Sequence, residues 1–176
     1  MKFLRHLHRL DAETTGVLLF GKSQGGVKVL SELFEKREIE KVYLAVVDGE
    51  PQEHEWTCKK GIGPVPKQYG RMQIDQKNGK SAETAFKVLE SREGRSLIEC
   101  RPVTGRTHQI RIHLLDAGLP IVGDPLYNES RKTEGSKEFP MGLRAVKVRF
   151  KNPFTKKTVF VKAPPEHFLH AFGFKH

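Results

Sequence analysis

Cysteine is scarce in this sequence, which has only Cys58 and Cys100 among its 176 residues. The two lie far apart, and neither belongs to a C-x-x-C pair. This excludes a disulfide framework and leaves no zinc-binding pattern, because both require cysteines or histidines at characteristic spacings. Such scarcity is typical of a protein from a reducing cytoplasm, and we expect that location.

Long apolar runs are also missing. No stretch approaches the ~18 consecutive apolar residues that a membrane helix needs. Cationic residues such as Lys2, Arg5 and Arg9 interrupt the region where a secretory signal would lie. We therefore expect no membrane partner. No internal repeat or low-complexity linker divides the chain, so its length predicts a single domain over residues 1–176.

The motifs of several enzyme classes are absent. There is no glycine loop of the GxxxxGKS/T or GxGxxG type, and there is no GxSxG nucleophile elbow. The eight histidines form neither HExxH nor a Cys/His zinc spacing. We therefore expect neither a metal nor a cofactor. Any chemistry must come from carboxylate, arginine, tyrosine and histidine side chains.

Basic residues, in contrast, are abundant. Lys and Arg number 31 against 21 Asp and Glu, which gives a formal net charge of +10 at pH 7. This excess favours a polyanionic partner. A basic soluble protein without such a partner is the alternative that charge alone leaves open. Hydrophobic residues make up 37% of the chain, which is typical of a folded domain.

Hydrophobic periodicity predicts an α+β fold with a mainly antiparallel sheet and a few flanking helices. Helices are expected at 27–37, capped by Ser23, and from Thr107 to about Ala117, where Gly118 ends the second one. The segment 53–80 is polar and rich in turn residues. The expected strands are 17–20, 42–47, 84–89, 96–100, 146–150 and 158–162, the third and fourth joined as a hairpin at 92–94.

Two segments concentrate chemically versatile side chains. Residues 8–16 are HRLDAETTG, and residues 104–113 are TGRTHQIRIH. On the second predicted helix, Arg111 shares a face with Thr107 and His108, while the apolar positions face the core. A helix N-terminus with such residues suits a phosphate or a carboxylate. A solvated basic helix face without a function is the alternative.

These segments resemble the signatures of the RluA/RluD-like pseudouridine synthases. Residues 8–22 are similar to the family pattern HRLDxxTSG-LLLFAK, and residues 41–49 are similar to the strand K-x-Y-x-A-x-V-x-G. Residues 105–127 resemble the block GRTHQIRxH…GxPIxGDxxY, and residues 79–84 resemble the strand entry K-x-A-x-T. The blocks occur in the family's order over residues 4–168, which makes their combination specific.

The chain departs from the family pattern at four places. Thr15 replaces the commoner serine, and Arg144 and Asn152 stand where many relatives have histidine. A strand-bearing segment with a Lys-Pro motif, which precedes the first signature in relatives, is not found before His8. We therefore expect a family catalytic domain that lacks its N-terminal portion and has no separate RNA-binding domain.

The resemblance implies that the chain isomerises uridine to pseudouridine. It makes Asp11 the carboxylate that stabilises the developing positive charge on the sugar, traps the sugar or takes a neighbouring proton, and these alternatives stay open. Arg111 is implied to pair with Asp11 within roughly 4 Å. Tyr43 is implied to stack on the uracil and to help remove the C5 proton. Glu13 is a competing carboxylate, which we expect at the surface.

The same resemblance implies residues that bind RNA. Arg9 fills the space that the target base leaves when it is flipped out of its stack, and a phosphate contact is the alternative. His8, Arg106, Thr107 and His108 are predicted to orient the loop or to contact the RNA. Five basic residues of the turn-rich region are candidates for a non-specific RNA-tracking surface: Lys59, Lys60, Lys67, Arg71 and Lys80.

The sequence thus predicts an RNA pseudouridine synthase catalytic domain, an isomerase that acts as a monomer on structured ribosomal or transfer RNA. No cofactor is needed, because the reaction is a redox-neutral isomerisation. An inactive RNA-binding remnant or fragment of such an enzyme is the alternative. A basic ribosome-associated protein without an active site explains the charge but leaves the ordered blocks unexplained.

Overall fold

A seven-stranded sheet forms the centre of the computed structural model, which describes residues 3–128 and 139–175. The strands of this part of the chain are β1 (Arg5–His6), β2 (Thr15–Gly16), β3 (Phe20–Gly21), β4 (Glu40–Asp48), β5 (Glu55–Cys58), β6 (Ile62–Pro64), β7 (Met72–Ile74), β8 (Thr84–Arg92), β9 (Arg95–Pro102), β10 (Leu143–Lys151) and β11 (Thr158–Lys162). The helices are α1 (Gln24–Glu35), α2 (Gln109–Asp116) and α3 (Glu166–Ala171).

The order of strands in the central sheet is β11-β10-β4-β9-β8-β5, and β2 adds a short pairing to β10. Every pair along that order is antiparallel, whereas β2 runs parallel to β10. The predicted α+β class with a mainly antiparallel sheet is therefore confirmed. Two small ribbons, β1–β3 and β6–β7, lie outside the sheet.

Helices cover both faces of the sheet because β4 alternates its buried side chains. Ala45 belongs to the hydrophobic cluster that contains Ile110 and Leu114 of α2. Leu44 belongs to a second cluster, with Phe168 of α3. Successive residues of a strand point to opposite faces, so α2 and α3 pack on opposite sides of β4. Helix α1 covers a third cluster beside β10 and β11.

The predicted hairpin is confirmed, and its strands are longer than the sequence indicates. Strands β8 and β9 meet at a two-residue turn, in which Glu93 and Gly94 both have positive φ, 52° and 73°. This backbone geometry matches the twist of two antiparallel strands. The cap of α1 is also confirmed, because the Ser23 hydroxyl accepts a hydrogen bond from the Gly26 amide at 3.1 Å. With that cap in place, α1 begins at Gln24, three residues earlier than predicted.

The predicted strand at 17–20 is wrong. Strand β2 ends at Gly16 and β3 begins at Phe20, so the chain between them crosses from one sheet to the other. Its amides do not continue a strand: the Val17 amide donates to the Ala145 carbonyl of β10, and the Leu19 amide donates to His8 Nε2. The turn-rich segment 53–80 contains three short strands, β5 to β7, that its composition did not reveal.

Gly16 fixes the loop that precedes it against β10. Its φ is +114°, and a Cβ atom there would overlap the Ala145 carbonyl oxygen. We expect Gly16→Ala to lower the free energy of unfolding by about 3 kcal/mol, since strain and a backbone clash act together. Urea denaturation followed by circular dichroism measures the change. Gly25 of α1 has open space around it. Gly25→Ala is the matched control, with an expected gain of up to about 1 kcal/mol, and equal losses in both variants would contradict this explanation.

Candidate active site

A cleft of about 460 Å³ lies between the loop after β1, the exposed end of β4 and the loop that leads into α2. Its lining includes Arg9, Asp11, Lys41, Tyr43, Thr104 and Arg106. The structure therefore brings together the two chemically rich segments, 8–16 and 104–113, although about a hundred residues separate them in the sequence.

Arg111 links two carboxylates at the base of this site. Its Nε and Nη2 atoms donate to the two carboxylate oxygens of Asp124, both at 2.7 Å. Its Nη1 atom lies 3.7 Å from Oδ2 of Asp11. The Asp11 distance is within the salt-bridge range expected from the sequence, but the stronger partner is Asp124, which the sequence interpretation did not assign.

Burial separates the roles of these carboxylates. The side chains of Arg111 and Asp124 are 2% and 1% exposed, whereas that of Asp11 is 20% exposed. Burial disfavours the charged guanidinium, but hydrogen bonds and charge from Asp124 outweigh it and raise the pKa of Arg111. Asp124 thus fixes the arginine, and Asp11 meets a fixed positive charge while its oxygens remain accessible from the cleft.

The alternative of a solvated basic helix is wrong. Residues 109–114 of α2 are all buried, because the helix packs between the central sheet and the β6–β7 ribbon. The sequence predicted Thr107 as its N-cap, and this is wrong. His108 holds that position in the left-handed region with φ 56°, and it makes no side-chain cap bond. The spacing of apolar residues in such a short helix does not reveal that Arg111 is buried and paired with a carboxylate.

Tyr127 supports the arginine from the other side. Its ring lies under the Arg111 guanidinium, 4.9 Å from the ring centroid. Its hydroxyl accepts a hydrogen bond from the Met72 amide at 2.8 Å and lies 2.8 Å from His108 Nδ1. Burial, followed by the charge of Arg111, lowers the pKa of His108. Tyr127 thereby joins the strained start of α2 to strand β7.

Tyr43 lines the cleft from β4. Burial, followed by the negative charge of Asp11, raises its pKa to about 12. The phenol is therefore protonated at neutral pH, since ionisation becomes substantial only near the pKa. A protonated phenol can stack on a base and donate a hydrogen bond but is not an anionic base, and the role of Tyr43 toward the uracil stays a prediction.

Arg9 and Arg106 hold the rim of the cleft through hydrogen bonds. Arg9 Nη2 donates to Thr107 Oγ1 at 2.6 Å, which ties the two converging loops together. Arg106 Nε donates to the Ser81 carbonyl at 2.9 Å. Both contacts are at exposed positions, so both arginines are accessible to RNA as well.

Gln109 anchors the loop before α2. Its Oε1 accepts hydrogen bonds from the Thr104 hydroxyl at 2.7 Å and from the Arg106 amide at 3.0 Å. Its Nε2 donates to the Glu83 carbonyl and to Thr84 Oγ1, both at 2.9 Å. One buried amide thus satisfies four partners, which fixes the backbone of the loop that lines the cleft.

His113 extends this network. Its Nε2 lies 3.0 Å from the Lys60 carbonyl, which can only accept, so Nε2 carries the proton. Burial lowers the pKa of His113, so the ring is neutral at pH 7. Its Nδ1 then accepts from the Thr84 hydroxyl, 3.0 Å away. This buried histidine is a structural support for Gln109 and was not among the predicted site residues.

The neutrality of His113 makes stability depend on pH. Because its pKa is lower in the folded than in the unfolded chain, stability falls as the pH drops below about 6.5. His113→Gln keeps one donor and one acceptor but cannot titrate. We expect its free energy of unfolding to fall less steeply between pH 6.5 and 5 than that of the wild type, by up to about 1.4 kcal/mol per pH unit. Urea titrations at several pH values measure the slopes, and equal slopes would exclude His113 as a source.

Other predicted RNA-binding residues are placed differently. His8 lines the cleft, but its Nε2 accepts the Leu19 amide at 3.2 Å, and burial lowers its pKa. The ring is thus engaged in holding β3 near β1. Among the proposed tracking cations, Lys60 pairs with Asp116 at 2.8 Å and Lys59 with Glu83 at 3.5 Å. Both lysines are partly exposed on that surface.

Residues 3–128 and 139–175 contain no group of three or more His, Cys, Asp and Glu side chains arranged to hold a metal ion. No helix in those residues is long and apolar enough to cross a membrane.

Known proteins are similar to this chain in sequence and in fold. Residues 1–116 match the family described as RNA pseudouridylate synthase. Over 175 residues the chain is 38% identical to ribosomal large subunit pseudouridine synthase C of Yersinia pestis, covering 96% of this chain and 54% of that protein. Human pseudouridylate synthase RPUSD2 is 44% identical over 128 residues, which cover 73% of this chain and 23% of that protein.

A solved structure has the same fold. Human RNA pseudouridylate synthase domain containing 1 superposes with a TM-score of 0.82 at 31% identity, covering 93% of this chain and 70% of that one. The fold is thus that of the pseudouridylate synthases. The chain belongs to the RNA pseudouridylate synthase family, and the resemblance to its RluA/RluD-like members is confirmed. It spans about half the length of its bacterial relative.

Proposed function

We propose that this chain is the catalytic domain of an RNA pseudouridine synthase that isomerises uridine in structured RNA. The supporting observation is the position of Asp11, which lines the cleft 3.7 Å from a buried arginine and beside Tyr43. A carboxylate that lies beside a fixed positive charge and an aromatic ring suits a reaction that develops positive charge on a sugar while a planar base is retained.

The proposed reaction rearranges the bonds of one nucleotide without changing its atomic composition or its oxidation state. The N1–C1′ bond breaks, the uracil turns, and a C5–C1′ bond forms, while the proton from C5 is lost and N1 gains one. Asp11 stabilises or traps the sugar, or removes a neighbouring proton. Arg111 orients that carboxylate through its nearby positive charge, and Tyr43 stacks on the detached uracil so that it turns without escaping.

The uridine must leave the RNA stack before it can reach this cleft, at a cost of a few kcal/mol. Arg9 lies at the rim and fills the vacated space or contacts a phosphate. We further propose ribosomal RNA as the substrate, since the name of the Yersinia pestis relative refers to the large ribosomal subunit. The same proposal includes a monomer acting in the cytoplasm without a cofactor.

Incubation of the purified chain with ribosomal and transfer RNA transcripts tests this function. Pseudouridine is measured by chromatography and mass spectrometry of the digested nucleosides, and its position by primer extension after carbodiimide treatment. Pseudouridine at a defined ribosomal RNA position is the expected result. RNA binding without any pseudouridine would instead identify an inactive RNA-binding remnant, and modification of transfer RNA alone would overturn the proposed substrate.

A further inference from the structure

Lys41 is a cation in the cleft that the proposed chemistry does not use. It lies two residues before Tyr43 on β4, so the two side chains project from the same face of the strand. Its Nζ donates to the Thr104 carbonyl at 3.2 Å. This contact holds the ammonium group at the wall of the cleft, beside the loop that Gln109 anchors.

No carboxylate in the part of the chain that the structure describes balances this charge. In the described ranges, 3–128 and 139–175, no carboxylate forms an ion pair with Lys41, and the Thr104 carbonyl is the one hydrogen-bond partner of its ammonium. An ammonium has three donors, so two remain for a ligand. Burial lowers the pKa of Lys41 to about 8, which leaves it mostly protonated at pH 7.

The surrounding charges also favour an anionic ligand. Cationic side chains outnumber carboxylates around Lys41 on the cleft wall, whose other charged residues are Arg9, Asp11, Glu35, Arg37 and Arg106. The neighbouring His8 ring is neutral, because its Nε2 accepts a backbone amide. Arg111 adds little to this excess, since Asp124 neutralises it. A partly buried, unbalanced ammonium gains most from a ligand that brings a full negative charge.

We propose that Lys41 binds the RNA phosphate adjoining the uridine whose base lies on Tyr43. This inference rests on the proposed function. Side chains two positions apart on a strand are separated by about 7 Å, a distance comparable to that between a nucleobase and its own backbone phosphate. With the uracil on Tyr43, the phosphate therefore reaches Lys41, and binding restores the electrostatic stabilisation that burial removed.

A thermodynamic cycle between Lys41 and single phosphates tests the proposal. Binding is measured with the target RNA in an Asp11→Asn background, so that the uridine is not converted. Methylphosphonate replaces the linkage on the 5′ or the 3′ side of the target uridine and removes one charge. We expect Lys41→Met to weaken binding to unmodified RNA about tenfold and to reduce the slope of log K against log salt by about 1.

The decisive result is non-additivity. In protein that keeps Lys41, one of the two neutral linkages should weaken RNA binding about as much as Lys41→Met does. In the Lys41→Met variant, the same neutral linkage should not weaken RNA binding further. Lys41→Arg should retain most of the affinity, since it keeps the charge. Lys157→Met is the matched control, because Lys157 is exposed in the turn between β10 and β11. In that variant the effect of each neutral linkage should stay the same as in the wild type.

Two outcomes would overturn the proposal. If the losses of RNA affinity caused by Lys41→Met and by each neutral linkage multiply, Lys41 binds neither phosphate. Pseudouridine formation by the unmodified protein would still support the proposed function in that case. If the unmodified protein forms no pseudouridine in any RNA, the proposed function and this inference fail together. Thermal unfolding of Lys41→Met confirms that the variant is folded, and we expect no loss of stability because an apolar chain replaces a buried charge.

Discussion

Asp11→Asn is expected to abolish pseudouridine formation, with a loss of roughly 10⁴-fold, the scale observed when a reacting carboxylate or nucleophile is removed. The neutral amide can neither stabilise positive charge on the sugar nor form a covalent bond to it. The fold should persist, because Arg111 keeps its two hydrogen bonds to Asp124. RNA affinity should change only a few-fold, since most RNA contacts are to the backbone.

The control for this variant lies two residues away. Glu13 is an exposed carboxylate in the same loop, so Glu13→Gln removes the same charge outside the cleft. We expect its turnover to remain within about threefold of the wild type, as for most surface substitutions. Single-turnover rates of pseudouridine formation measure both variants. Comparable turnover by Asp11→Asn, or an equal loss in Glu13→Gln, would remove Asp11 from the mechanism.

Arg111→Ala is expected to cost stability and activity together. It leaves the Asp124 carboxylate buried without its cation, a change that typically costs about 3–5 kcal/mol. Arg111→Lys keeps a positive charge but loses the planar group that bonds both Asp124 oxygens. We therefore expect the lysine variant to recover part of the stability and little of the activity, because an ammonium bound to Asp124 cannot also approach Asp11 in the same geometry.

Arg149→Ala provides the comparison for an exposed pair. Arg149 lies 3.3 Å from Glu40 at the surface, with half of its side chain exposed. Arg149→Ala should lower the free energy of unfolding by at most about 1 kcal/mol. Urea denaturation gives the stabilities, and single-turnover assays give the rates. A nearly silent Arg111→Ala would show that the buried pair does not organise the site.

The long strands of the central sheet and the turn between β8 and β9 were the parts of the fold that sequence patterns predicted well. Strand β11 and the β8–β9 hairpin follow from local alternation and from a turn that needs positive φ, and Ser23 marks the start of α1. Such signals depend on neighbours in the sequence. Helix α3 was not predicted, because its six residues acquire their apolar face only through contact with the second hydrophobic cluster.

The candidate site was predicted through its resemblance to a family, and periodicity gave little of it. Asp124 lies within a block that resembles the family, but the sequence predicted no role for it. A buried arginine requires a buried carboxylate, so the burial of α2 would have indicated such a partner. That burial depends on the β6–β7 ribbon, which local patterns did not reveal. The unbalanced charge of Lys41 could not be predicted for the same reason, since charge balance is a property of the folded cleft.

The two-residue pairing of β2 with β10 has a consequence for local unfolding. It attaches the Asp11 loop to the sheet, whereas Arg111 belongs to the buried part of α2, residues 109–114. Local opening is easiest where few backbone hydrogen bonds and few apolar contacts must break. We therefore expect the two charged partners of the site to belong to different cooperative units. Opening the short pairing would then separate Asp11 from Arg111 while the hydrophobic core around α2 stays folded.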